Sequence, residues 1–148
     1  MRRTLGVDWN DGLLENGAGH LVETDMTQNR NTVVRLAEKL AAIDEQWAPR
    51  IVARLNDYEF KVVKLEGDFV WHSHADTDEA FLVLAGELTI EMREGEARLS
   101  AGDLYVVPRG VEHRPRAPRE CHVLLIEPAG TPNTGDEGGE RTRAPEWI

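Results

Sequence analysis

The sequence predicts an all-β barrel or sandwich preceded by one helix. Three observations carry this. Between Ile51 and Ile126, about nine short runs alternate apolar and polar residues and are divided by good turn chemistry. Ahead of them, residues 32–47 keep a helical period instead. At 148 residues the chain suits a single core.

In chain order, residues 1–31 come first. They hold turn residues throughout (Asp11-Gly12, Asn16-Gly17, Gly19) and no period, so they read as a flexible or loosely docked extension. Met26 offers an alternative start, since the chain from there onward looks self-sufficient. In 32–47, Val33, Leu36, Ala37, Leu40, Ile43 and Trp47 share one helical face. Asn31 or Thr32 can cap the start and Pro49 forbids continuation. This helix is expected to pack on the barrel or on a second subunit, with no role in chemistry.

The expected strands are 51–55, 59–65, 69–74, 79–84, 87–92, 97–99, 104–107, 111–114 and 121–126. Turns are read at Asn56-Asp57, Glu66-Gly67-Asp68, Ala85-Gly86, Arg93-Glu94-Gly95-Glu96 and Ala117-Pro118-Arg119. Leu82-Val83-Leu84 and Val123-Leu124-Leu125-Ile126 are apolar on both faces, so one face fills the barrel and the other needs cover. Glu91, Arg93, Glu94, Glu96 and Arg98 read as a solvated hairpin. The barrel is expected to span 51–128. The tail, 129–148, is rich in Gly, Thr and Pro but ends in Trp147-Ile148. It either stays loose or runs back over the barrel and docks through Trp147.

Chemistry concentrates in two stretches. The first, from Gly67 to Gly86, holds His72, His74 and Glu79; the second, from Gly102 to His113, adds Pro108, Gly110 and His113. On a strand, His72 and His74 point the same way, roughly 6.5–7 Å apart, and converge on one ion. Glu79 opens the next strand and can swing back to it. Three imidazoles and one carboxylate, with no thiolate, suit Fe, Mn, Ni, Co, Cu or Zn. Four ligands leave open positions for substrate, water or dioxygen on a five- or six-coordinate ion. The other reading is a degenerate site that uses the histidines as acid/base groups. His20 and His122 lack such a frame and read as surface residues.

The interior face that carries Val70, Phe81 and Val83 is the expected substrate-binding surface, mostly apolar. Arg109, at the turn of the second stretch, is the first cation to consider for an anionic substrate. Lys61, Lys64 and Arg114 read as surface residues. Trp71 points away from the ligands by alternation. Ser73 lacks an Asp/His partner for a nucleophilic role. Glu79 is the candidate general base, as the one ligand able to leave the ion and take a proton.

These two stretches resemble the paired motifs of the cupin superfamily. The first reads His-x-His-x4-Glu-x6-Gly, with Gly67 one residue closer to the histidines than usual, and the second reads Gly102-x5-Pro108-x-Gly110-x2-His113. The 15 residues between Gly86 and Gly102 are few for this superfamily and typical of small microbial members. One departure stands out: the second motif ends in Asn four residues after its His, where this chain has Ala117. The wider pattern is similar to small bacterial cupins labelled mannose-6-phosphate isomerase-like. The resemblance implies a double-stranded β-helix, the cupin or jelly-roll barrel, with a metal in its mouth.

Composition narrows the function. A net charge of −10 and a pI near 4.9 argue against nucleic acid and anionic membranes as partners. Cys121 is the lone cysteine, so no intrachain disulfide forms. No run of 18 apolar residues and no secretory h-region is present, and a reducing cytoplasm is the expected location. A homodimer is expected, because the outer sheet face otherwise lacks cover. Two function classes remain. One is a metal-dependent isomerase, lyase or cyclase, or dioxygenase acting on a small organic molecule. The other is a non-catalytic module that binds a ligand or metal.

Overall fold

A strand whose two faces both meet apolar partners lies inside a protein, and the middle of this chain is built that way. The computed structural model describes residues 31–148; the expectations for His20, the Met26 start and nearly all of the N-terminal extension fall outside them. One helix, α1 (Leu36–Ala41), precedes eight strands among the described residues. They are β1 (Arg50–Leu55), β2 (Tyr58–Asp68), β3 (Glu79–Ala85), β4 (Glu87–Met92), β5 (Gly95–Ser100), β6 (Leu104–Val107), β7 (His113–Pro128) and β8 (Glu146–Trp147).

The long β7 joins the two walls of the jelly roll. Its second half lies between β2 and β3, antiparallel to both, and its first half pairs with β4. The remaining strands extend these walls: β1 on β2, β8 parallel to β1, β6 on β3 and β5 on β4. Alternation then sorts the side chains. Val63, Leu65, Phe81, Val83, Val123 and Leu125 turn inward and meet Leu88, Ile90 and Leu99 of the opposite wall. Val62 and Leu124 turn outward and are covered by Leu40 and Ile43, with Leu82, Leu84, Ile126 and Ile148 packed alongside.

The helix is shorter than its period suggests, covering Leu36–Ala41 rather than 32–47. Arg35 takes the N-cap position without a side-chain cap, and Val33 is 78% exposed. Lys64 Nζ draws the Ile43 carbonyl off at 2.7 Å, and the Trp47 N–H donates to the Lys64 carbonyl at 2.9 Å. Trp47 therefore leaves the helix face and stacks on Phe69 at 4.7 Å. Residues 69–74 form no strand beyond one bridge, His72 with His113. The expected strands at 111–114 and 121–126 are parts of β7, and Ala117-Pro118-Arg119 is not a turn. There the register jumps from Leu65–Cys121 to Gly67–Ala117, so Pro118 sits in an irregular stretch that needs no ladder N–H. Ala117 is buried in the inner cluster, where an apolar residue needs no partner. The tail docks: Ile148 N–H donates to Ile51 O at 3.1 Å, and Arg54 lies over the half-exposed Trp147 ring. No described helix is long and apolar enough to cross a membrane.

Candidate metal centre

Strand ends and one tied loop deliver the four candidate ligands. Glu79 opens β3 and His113 opens β7, so both sit where ladders fix the backbone. His72 exchanges two backbone hydrogen bonds with His113, at 3.0 and 2.9 Å. The His74 carbonyl accepts the Gly110 N–H at 2.8 Å, which ties the first stretch to the turn of the second. All four side chains are buried, and one ligand atom from each lies within 4.8 Å of the others.

The hydrogen bonds set the tautomers. His72 Nδ1 lies 2.9 Å from Val70 O and His113 Nδ1 lies 2.9 Å from Val111 O. A carbonyl only accepts, so each Nδ1 carries a proton and each ring turns its Nε2 inward. His113 Nε2 then meets Glu79 Oε2 at 3.2 Å, and His74 Nε2 meets the same oxygen at 3.3 Å. Two imidazole nitrogens and a carboxylate oxygen thus converge on one buried point, as the donors of a metal site do. His74 Nε2 is also buried with no hydrogen-bond partner among the described residues. The donor set therefore fits a divalent transition ion.

Burial, and next the neighbouring His113, push the His72 imidazole down to about 4. It stays neutral, as a ligand must. Burial alone would raise the Glu79 carboxyl, but contacts with His113 and His74 override it and hold the group well below the usual carboxylate range.

Beside the cluster lies a cavity of about 30 Å³, room for about one or two waters. His72 and Glu79 form its polar side, and Val63, Leu65, Phe69 and Phe81 are among its apolar walls. Most of its lining residues, among them Trp47, Phe69 and Asn133, escape a reading of the sequence. Trp47 keeps the helical period, and Asn133 lies in a tail without periodicity. The Trp47-Ala48-Pro49 break is the available signal, since a residue before proline is extended.

The other expected site residues are distributed unevenly. Phe81 lines the cavity, whereas Val83 lies deeper in the inner cluster. Val70 packs against that cluster and holds His72 through its carbonyl. Arg109 is exposed and paired with Asp78 at 3.2 Å. Trp71 points outward under Arg93, 3.9 Å from its ring centroid. His122 is on the outside, 2.8 Å from Glu120.

Lys61 corrects the surface reading: its side chain is 1% exposed. Its ammonium bonds Glu127 at 2.9 Å and lies 3.4 Å from Glu59, which also pairs with Arg54. Glu59 stands opposite Glu127, and Glu79 lies one residue beyond the Ala80–Ile126 pair. Three carboxylates thus cross β2, β7 and β3 in one interior row. Burial, then repulsion from Glu79, push the Glu127 carboxyl well up despite Lys61.

Comparison with known proteins adds the family. A family model described as Cupin domain matches residues 60–127. The chain is 50% identical to a cupin-2 domain containing protein from Shewanella frigidimarina; the match covers 65% of this chain and 94% of that one, with a TM-score of 0.64. It is 36% identical to a Neisseria meningitidis protein of known structure, covering 66% of this chain and 99% of that one at a TM-score of 0.61. The uncharacterized protein YdbB of Bacillus subtilis is 37% identical over 86 residues, 57% of this chain and 76% of its own length.

Proposed function

Because the chain belongs to the cupin superfamily, we propose that it is a metal-dependent enzyme acting on a small organic molecule, as an isomerase, a lyase or cyclase, or a dioxygenase. One observation carries the reading: four buried ligand atoms within 4.8 Å of one another, at the wall of an apolar cavity. His72, His74, Glu79 and His113 would hold one divalent ion, whether iron, manganese, nickel, zinc, cobalt or copper. Once bound, such an ion supplies Lewis acidity toward a chelating carbonyl and, if it is iron, redox chemistry with dioxygen.

The chain's own residues do the rest. Phe81, with Val63, Leu65 and Leu125, binds the apolar part of the substrate and excludes water. Val83 backs that wall, and Val70 orients His72. Arg109 gives up Asp78 to meet a substrate carboxylate at the rim. Glu79 becomes a base on leaving its two imidazole partners, and it takes a proton at a carboxylate oxygen. This favours a small, partly apolar compound with two vicinal or β-placed oxygens: an enediol, a β-diketone or a hydroxyacid. We place the protein in the cytoplasm, as a homodimer joined through the outer face of β3 and β6.

The test is a screen of enolisable compounds on metal-loaded protein with oxygen uptake recorded. Uptake identifies the dioxygenase, and turnover without uptake the isomerase or lyase. Tight binding without turnover, unaltered by Glu79→Gln, would contradict the enzyme reading and leave a binding module.

A further inference from the structure

The 69–74 stretch carries two candidate ligands without a strand ladder, so something else must hold it. Part of the answer lies in the C-terminal segment, beyond the residues 60–127 that match the family. The Asp136 N–H donates to Ser73 O at 2.9 Å, and the Ala75 N–H donates to Asp136 Oδ2 at 2.8 Å. These two bonds grip the chain on either side of His74. Gly135 lies so close that an added Cβ would stand 2.1 Å from Ser73 O and 3.2 Å from His72 Cδ2, at a φ of +56°. Only glycine fits there.

The segment is itself tightly knit. Asn133 Nδ2 donates to Trp47 O at 3.2 Å and to Arg141 O at 3.0 Å, while its Oδ1 accepts the Arg143 N–H at 2.8 Å. Thr134 is fully buried, with its hydroxyl 2.6 Å from that of Thr142. Arg141 lies over the Phe69 ring at 4.8 Å and the Trp47 ring at 5.4 Å, and bonds Asp68 O at 2.7 Å. The cavity beside the cluster measures about 30 Å³. Among its lining residues, Asn133 is the one that this segment supplies.

We propose that residues 133–136 are positioning residues of the metal centre: they fix His72 and His74 in ligating geometry, so that this strap governs metal retention. The proposal rests on the metal reading of the histidine–glutamate cluster. Outer residues that orient ligands typically change metal affinity by about 10–100-fold when removed.

A matched pair of variants separates this role from general strain. Gly138 has a φ of +64° and open space around its Cβ position, so Gly138→Ala imposes the same left-handed backbone without the clash. Asp136→Ala removes the acceptor for Ala75, and Asp136→Asn restores one. Two readouts are taken on full-length protein: Co²⁺ affinity and release into excess chelator, followed by visible absorbance, and amide hydrogen exchange at Ala75 in metal-free protein. Gly135→Ala and Asp136→Ala should bind Co²⁺ about 10–100-fold more weakly, release it faster and exchange Ala75 faster. Gly138→Ala and Asp136→Asn should stay near wild type in both readouts. Should Gly135→Ala fail to fold, the Asp136 pair carries the test. Faster exchange at Ala75 with unchanged Co²⁺ binding would overturn the positioning role, and unchanged exchange would overturn the strap contact itself. If wild type binds no Co²⁺, the metal reading fails first, while the exchange arm still decides whether the strap holds the loop.

Discussion

His72 is one residue that makes the stability of the metal-free protein depend on pH. Its pKa is pushed down to about 4 from an ordinary 6.5, by burial first and His113 second. Between those values the unfolded chain binds a proton that the folded chain refuses. The stability His72 contributes is therefore complete above about 6.5 and is lost as pH falls toward 4, on the order of 3 kcal/mol in all. Glu79, held low, acts in the same direction, and Glu127, pushed up, acts in the opposite one. Urea unfolding at pH 7.5 and pH 5 should show the loss, and His72→Asn should flatten it; an equal slope in the variant would count against the burial argument. At the same scale, His74→Ala should abolish stoichiometric metal binding, because it removes one of the four clustered ligand atoms. His122→Ala should leave binding intact, since its imidazole pairs with Glu120 on the outer face. Elemental analysis of the two variants decides both.

At the scale of elements, the interior row across β2, β7 and β3 makes a sharp prediction. Lys61 sits 2.9 Å from Glu127 and 3.4 Å from Glu59, all three nearly inaccessible. Lys61→Met leaves Glu127 without its cation, while Glu59 keeps Arg54, and should cost about 3–5 kcal/mol in urea unfolding. Adding Glu127→Leu should recover much of that loss; a double variant no more stable than the single one would refute the pairing. Period-2 alternation made β2 legible, and doubly apolar runs marked β3 and the last part of β7, because inward and outward faces meet different partners. The same alternation hid the Lys61 row, since a charged residue at an interior position looks like a surface one until its counter-charges arrive from other strands. The helical period overstates the helix because Leu36, Leu40, Ile43 and Trp47 all keep it, while Trp47 is recruited by Phe69 and the Lys64 carbonyl. Pro118 suggested a turn, and only the register shift shows that β7 passes through it.

For the molecule as a whole, the four residues that cluster could be read directly from spacing, while the segment packed on them could not. His72, His74, Glu79 and His113 come together as their motifs imply, whereas the strap from 133 to 136 has no local pattern. One apolar face stays open. Leu104 is 60% exposed and Val106 47%, and they stand beside Leu82 and Ala80 on the outside of the barrel. A second copy of the chain is the proposed cover, so sedimentation at micromolar concentration should give about twice 16.6 kDa. A mass near 16.6 kDa would contradict the dimer. The central claim is that the chain holds one transition ion in the histidine–glutamate cluster. Its most direct test is elemental analysis of full-length protein purified without chelator, followed by metal titration. One divalent ion per chain, lost in His74→Ala, is the predicted result. Protein that carries no metal, and that shows no saturable site on titration, would contradict it.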